Sequence, residues 1–341
     1  MQFIKPNTNI DFIGKRKIFF LLSAVLIVIG IGALIIMGPE YGVDFAGGTL
    51  IQVSFTEPVS VNAIRSGLKS VDLDKTSIQR FGEETQNEYL VRTNTPISTS
   101  EDFTNRIETA LKTSTGKDTQ IQRVEMVGPQ VGKDLREKAL FAMFFSLLFI
   151  TIYISGRFEL KWILSGVMAT VLFCGVYVLS LFSVSIPILI TAALILTIVL
   201  FWFLELKYAM GAIVALIHDV MITVGIFCLT GKEFTLPIVA ALLTIIGYSL
   251  NDTIIVFDRI RENTKKHSKN TLDIIINKSI NETLSRTILT SLTTIVVVIA
   301  LFIFGGGIIH DFAFALIVGV GIGTYSSIFV ASPILLAWQT E

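Results

Sequence analysis

The 341 residues carry 27 basic and 27 acidic side chains, so the formal net charge is zero and nothing points to nucleic acid or an acidic substrate as a partner. Only 16% of residues are charged and the mean hydropathy is +0.72, which excludes a soluble globular protein. Both cysteines, Cys174 and Cys228, fall in apolar runs without CxxC or histidine spacing, so neither a disulfide framework nor a zinc site is expected.

The first apolar run, Ile18 to Met37, follows Lys15, Arg16 and Lys17 much as a signal peptide would. It is too long for a usual signal core, and Pro39-Glu40-Tyr41 offers no small-x-small cleavage pattern. Residues 1–38 are therefore read as a tail and a retained anchor helix. Residues 39–134 have soluble composition, with strand-like runs at Thr49–Phe55, Thr76–Phe81, Glu88–Thr93 and Gln120–Met126. Helix-like runs lie at Val59–Ser70 and Ser98–Thr113, the second opened by Ser98 and Ser100 with Glu101 and Asp102. The order β-α-β-β-α-β predicts a small α+β, ferredoxin-like domain outside the cytoplasm.

Residues 135–341 read as a transmembrane bundle. Apolar runs at about 139–156, 162–182, 187–204, 208–230, 235–257, 287–304 and 312–336 approach the ~20 residues that cross a bilayer as helix. With the anchor they predict eight spans. Residues 259–286 are basic and irregularly apolar (Leu272, Ile274, Ile275, Ile276, Ile280), which predicts a cytoplasmic amphipathic helix lying at the interface. Lys5, Lys15, Arg16, Lys17, Arg157, Lys161, Lys207 and the run from Arg259 to Arg286 fall on one side if both termini are cytoplasmic, and only Lys232 falls in an opposite short loop.

Several polar residues interrupt these spans. Asp252 sits six residues before Asp258 at the inner end of its helix, hence about 9 Å deep. A carboxylate there is a functional-site hypothesis by default. Arg286 opens the next span, and its long side chain can snorkel to a similar depth. The pair is either a switchable ion site or a static bridge between helices. Asn251 and Ser249 can orient Asp252 or bond across helices, and Tyr248 is a hydrogen-bond partner or a packing aromatic. Asp258, Arg259, Arg261 and Glu262 read as interfacial anchors. His218-Asp219 lies about 18 Å into its span, either extending a proton path or forming a neutral bonded pair. The three histidines, His218, His267 and His310, occupy different regions, which argues against a metal site. Gly319, Gly321 and Gly323 permit close helix approach. Gly42, Gly47 and Gly48 precede a strand, so tight turns explain them better than a phosphate loop. No nucleophile elbow, P-loop, HExxH or paired catalytic carboxylates occur in the soluble domain, so an enzyme is not expected.

Four motifs together resemble the SecF-type members of the SecD/SecF protein-export family in the RND superfamily. They are Tyr41-Gly42-Val43-Asp44-Phe45-Ala46-Gly47-Gly48-Thr49, Ala215-Leu216-Ile217-His218-Asp219-Val220, Gly247-Tyr248-Ser249-Leu250-Asn251-Asp252-Thr253 with Asp258-Arg259-Ile260-Arg261-Glu262-Asn263, and Gly323-Thr324-Tyr325-Ser326-Ser327. The resemblance implies an RND-type bundle in the cytoplasmic (inner) membrane that promotes late preprotein translocation by the proton motive force. It carries the proton-pathway role to Asp252 and Arg286. It implies SecD and the SecYEG translocon as partners, with YajC and YidC as further candidates and unfolded preprotein as substrate. SecD is expected as a separate chain, since this sequence ends right after its last span. No cofactor is expected. The coupling ion is H⁺ or, through the neighbouring Asn, Ser and Thr oxygens, Na⁺.

One departure is an insert. The family leads from Arg157-Phe158-Glu159 directly into the His-Asp helix, whereas here two apolar runs (about 162–204) intervene between Glu159-Leu160-Lys161 and Glu205-Leu206-Lys207. A local duplication and a coincidence both explain the repeated Glu-Leu-Lys. An even number of inserted helices leaves every later loop on its expected side, and a lipid-facing addition is the simplest role. Two rival functions remain: an RND-type proton-coupled exporter of small molecules or lipids, and a non-conducting structural subunit.

Overall fold

The computed structural model describes residues 9–73, 76–81, 87–93, 101–159, 162–180, 186–267 and 269–338. Helix α1 (Arg16–Ile36) is followed by a short turn of helix, α2 (Val43–Ala46), and strand β1 (Gly48–Phe55). Then come α3 (Val61–Lys69), β2 (Thr76–Phe81), β3 (Glu88–Thr93), α4 (Glu101–Thr115) and β4 (Thr119–Val127). Apart from α2, which the sequence does not predict, these elements lie where the sequence places them; Ser98 and Ser100 fall outside the described residues.

The sheet is antiparallel with strand order β2-β3-β1-β4. Alternation decides its faces. Ile51, Val53, Tyr89 and Val91 point to one side and bury against Ile64 and Leu68 of α3 and Ile107 and Leu111 of α4. Leu50, Gln52, Leu90 and Arg92 point to the other side, lining a cleft of about 870 Å³ above the helical bundle.

The glycine-rich run after α1 docks this domain onto the bundle. Gly42 N–H donates to the Phe234 carbonyl at 2.8 Å, Phe234 N–H to Glu40 at 2.7 Å, and Leu236 N–H to the Asp44 carboxylate at 2.8 Å. Asp44 thereby caps, from another element, the helix that begins at Leu236. Gly47 has φ +76°, and a Cβ there would sit 2.7 Å from Pro129 Cα, so turn and packing both require glycine. Arg92 adds an ion pair with Glu233. Burial pulls its guanidinium below the ordinary value, while Asp311, Glu40 and Asp44 push it up. Arg92→Ala is expected to cost about 1–3 kcal/mol of docking free energy by stranding a mostly buried carboxylate. Faster hydrogen exchange at Gly42 and Phe234 would report it, and unchanged exchange would refute it.

Six helices among the described residues are long and apolar enough to cross a membrane: Arg16–Ile36, Pro129–Glu159, Lys207–Thr230, Leu236–Lys266, Leu272–Phe304 and Ile309–Ile334. They comprise α1, α5 (Pro129–Ile154) with a wide turn at Ser155–Glu159, α8 (Lys207–Thr230), α9 (Leu236–Lys266), α10 (Leu272–Phe304) and α11 (Gly306–Ser326) with a second wide turn at Ser327–Ala331. Between Glu159 and Lys207 lies the expected helical pair, α6 (Trp162–Ser180) and α7 (Ile186–Phe203). Its apolar stretches, Trp162–Val178 and Ile188–Phe203, are shorter than those of the other six helices. The pair buries Leu172, Val176 and Ala193 against Phe144 and Leu148 of α5 and leaves Ile163, Tyr177, Ile188 and Phe203 exposed. Its two ends meet: Glu159 accepts a hydrogen bond from Tyr208 N–H at 2.9 Å, and Phe158 stacks on Tyr208 at 5.1 Å. The chain leaves and re-enters the bundle at one point, as an insertion requires.

Residues 259–286 differ from expectation. They form no separate interfacial helix but the projecting ends of α9 and α10, away from the sheet domain. Ile260, Ile276 and Ile280 are buried by other helices and by Phe12 and Ile13, and Ile275 is buried as well, while Ile274 stays exposed. The preceding segment is held by two asparagines one turn apart, which accept from Ile10 N–H (Asn281) and Phe12 N–H (Asn277), each at 2.8 Å. An apolar stripe of helical period has the same form whether lipid or protein covers it.

Candidate functional site

Among the described residues, two carboxylates are buried inside the bundle, each 1% exposed: Asp219 on α8 and Asp252 on α9. Their surroundings are opposite. Asp219 Oδ2 accepts from Ser249 Oγ of α9 at 2.5 Å and Ser326 Oγ of α11 at 2.8 Å. Its Oδ1 lies 2.9 Å from His218 Nδ1. His218 Nε2 lies 3.1 Å from Ser23 Oγ of α1, which contacts the Tyr325 hydroxyl at 2.9 Å. That hydroxyl donates to the Phe19 carbonyl at 2.8 Å, and the Tyr325 ring stacks on His218. Four helices are thus tied to one carboxylate whose acceptor capacity is largely filled. Such a fully bonded network rigidifies a core.

Asp252 is poorly satisfied. Its Oδ2 accepts one long bond, 3.3 Å, from Ser291 Oγ of α10, and its Oδ1 has no partner among the described residues. Thr287 Oγ1, one turn from Ser291, is also buried and unpartnered. Ser291 Oγ lies 2.6 Å from Thr324 Oγ1 of α11. Tyr248 donates to Thr294 Oγ1 at 3.2 Å rather than to Asp252.

Arg286 is exposed, and among the described residues no ion pair joins it to Asp252. The direct contact allowed by the sequence is replaced by a longer-range electrostatic one. Arg286 instead lines a cavity of about 600 Å³, shared with Asn251, Asp258, Arg259, Glu282 and Arg157 at the end far from the sheet domain. Asn251 places that cavity one residue from Asp252. Its rim is cross-tied, with Arg157 bonded to Asp258 at 2.7 Å and Arg259 to Glu282 and Glu262 at 2.6 Å each. Asp258 and Arg259 therefore join elements together, while Glu262 pairs within α9. A buried, under-bonded carboxylate near a polar vestibule can take up and release a small cation.

The structure gathers the predicted residues into two groups: Asp252, Asn251 and Arg286 near the vestibule, and His218, Asp219 and Ser249 in the network. Ser23, Ser291, Thr324, Tyr325 and Ser326 complete both groups, yet sequence reasoning assigned them no role. The signal was the hydroxyl run Thr324-Tyr325-Ser326 in an apolar span. Of the three glycines on α11, Gly319 and Gly323 face α9, where added Cβ atoms would collide with Ile245 and Ser249, while Gly321 faces open space. Gly323→Leu is expected to push α11 off α9 and cost about 1–3 kcal/mol by overpacking; Gly321→Leu is the control. Equal thermal stability of the two variants would refute this.

Comparison with known proteins adds an independent line. The family model described as protein export membrane protein SecD/SecF, C-terminal, matches residues 106–195 and 180–341, and the SecD/SecF GG motif matches residues 32–59. The two C-terminal stretches overlap within the helical pair α6–α7. Protein translocase subunit SecF of Calditerrivibrio nitroreducens is 41% identical over 342 residues, covering 97% of this chain and 95% of that one. The protein of the same name from Magnetococcus marinus is 43% identical over 340 residues, covering 98% and 94%. A solved structure of SecDF, a translocon-associated membrane protein from Thermus thermophilus, matches with TM-score 0.71 and 30% identity, covering 98% of this chain but 39% of that longer one. A second SecDF structure, in a super-membrane-facing form, matches with TM-score 0.59 and 31% identity over 99% of this chain and 40% of that one.

Proposed function

The chain belongs to the SecF family of protein-export membrane proteins, and from that premise we propose that it couples an ion gradient to late-stage protein translocation as the SecF subunit of a SecD–SecF accessory to the Sec translocon. SecD and the SecYEG translocon are its partners, and unfolded preprotein meets its outer domain. We read that domain as ferredoxin-like, on the β2-β3-β1-β4 order with both helices on one face. The basic residues at the ends of α1, α5, α9 and α10 support a chain in the inner membrane with cytoplasmic termini and the sheet outside. On that orientation the vestibule opens to the cytoplasm. The pair α6–α7 adds two further, lipid-facing spans.

One observation carries the reading: Asp252 is a buried carboxylate with one oxygen unpartnered, set beside a vestibule that holds the cation Arg286. An ion site needs an empty valence, whereas a structural pair would be closed. Asp252 accepts the ion, Arg286 sets the field around it, and Asn251 and Tyr248 shape the approach. His218, Asp219 and Ser249 hold the helices in register. The chemistry is ion transfer, with no covalent step.

The test is preprotein export into vesicles containing the full complex, with a proton or a sodium gradient imposed separately. Export that rises with the proton gradient supports H⁺ coupling, and a response to sodium alone reassigns the ion. Export indifferent to both gradients overturns the coupling.

A further inference from the structure

Three links connect Asp252 to the backbone of α11. Ser291 Oγ lies 3.3 Å from Asp252 Oδ2 and 2.6 Å from Thr324 Oγ1, which in turn lies 2.8 Å from the Val320 carbonyl. Each link needs a proton, and each hydroxyl brings one. With Asp252 ionised, two protons must serve three links. Ser291 then donates to the carboxylate and Thr324 donates to Ser291, so the Val320 carbonyl loses its hydroxyl donor. With Asp252 protonated, all three links fill: Asp252 O–H donates to Ser291, Ser291 to Thr324, and Thr324 to Val320. Taking up one proton thus reverses the polarity of the whole chain and delivers a hydrogen bond to α11.

The next residues of α11 are held from the other side. Tyr325 is bonded to Ser23 and Phe19 of α1, and Ser326 to Asp219. Immediately afterwards the helix widens at Ser327–Ala331, a departure that recurs at functional positions. The charged groups flanking this part of α9 are Arg286 of α10 and the His218–Asp219 pair of α8, while α11 contributes hydroxyls. We propose that Ser291 and Thr324 form a two-hydroxyl relay that reads the protonation state of Asp252 and passes it to α11, which moves against the anchor that Asp219 gives Ser326. Both are positioning residues. The inference rests on the ion-carrying role of Asp252.

The experiment uses the full chain in its reconstituted membrane complex. Infrared difference spectra on acidification identify the Asp252 carboxylic C=O band as the one missing from Asp252→Asn. Thr324→Val is expected to move that band and to lower gradient-driven export about threefold to tenfold, the size of one lost hydrogen bond. Thr324→Ser, which keeps the hydroxyl, is expected to restore both. A band left in place by Thr324→Val overturns the relay, as does export equal to wild type. Should Thr324→Val fail to assemble, Ser291→Ala decides by the same band: a shift supports the relay and an unmoved band overturns it. If Asp252→Asn itself exports normally, the ion-carrying role fails and this inference with it; if Asp252→Asn is inactive while Thr324→Val matches wild type, the relay alone fails.

Discussion

Asp252→Asn is expected to abolish gradient-driven export while the complex assembles and melts as the wild type does. The two halves of that expectation come from the same geometry. Asparagine has the shape of aspartate, and the oxygen it replaces or keeps has at most one long bond, to Ser291 at 3.3 Å. Little native bonding is lost, so the stability change should stay within about 1 kcal/mol. The amide cannot take up and release a proton, however. A positioned proton-transfer group is worth about a hundredfold or more, so export driven by the gradient should fall at least that far, leaving what the translocon does unaided. Export by Asp252→Asn at near wild-type rate would return the pair Asp252–Arg286 to a structural role.

How much of this was legible in the sequence depends on the kind of interaction. The sheet was, because alternation at Ile51, Val53, Tyr89 and Val91 fixes a buried face with a period of two. Asp252 and Asp219 were, because charge in an apolar helix needs a reason. Their partners were not. A hydroxyl in a helix can bond its own preceding turn, as Thr223, Thr244, Thr253 and Thr294 do here, each reaching the carbonyl four residues back. Nothing in the spacing separates those from Ser291 and Ser326, which reach across to another helix. The Asp252–Arg286 contact failed for a related reason: reach says what a guanidinium can touch, whereas Arg286 here lines the exposed vestibule instead. The segment 259–286 failed because coverage of its apolar face depends on helices and an N-terminal stretch far away in sequence.

Asp219→Ala should be the most destabilising single change in the bundle, and this separates the two carboxylates. Removing Asp219 orphans Ser249 Oγ and His218 Nδ1, leaves Ser326 Oγ only its bond to the Gly323 carbonyl, and cuts the tie from α8 to α9 and α11. Breaking a buried charged network by deleting one partner costs about 3–5 kcal/mol. The individual losses share partners, so they do not simply add. Asp219→Asn should recover part of this, since its carbonyl can still accept from the two serines, which can turn to meet it. Thermal unfolding of the purified complex gives the ranking: wild type and Asp252→Asn together, Asp219→Asn lower, Asp219→Ala lowest. If Asp219→Ala melts with the wild type, the network is not what holds these helices. The ranking also bears on mechanism. A carboxylate that three donors already satisfy gains little from a proton, whereas one with an empty oxygen is free to change state. On the proposed reading, Asp252 carries the ion while Asp219 keeps the surrounding helices rigid enough for that one change to matter.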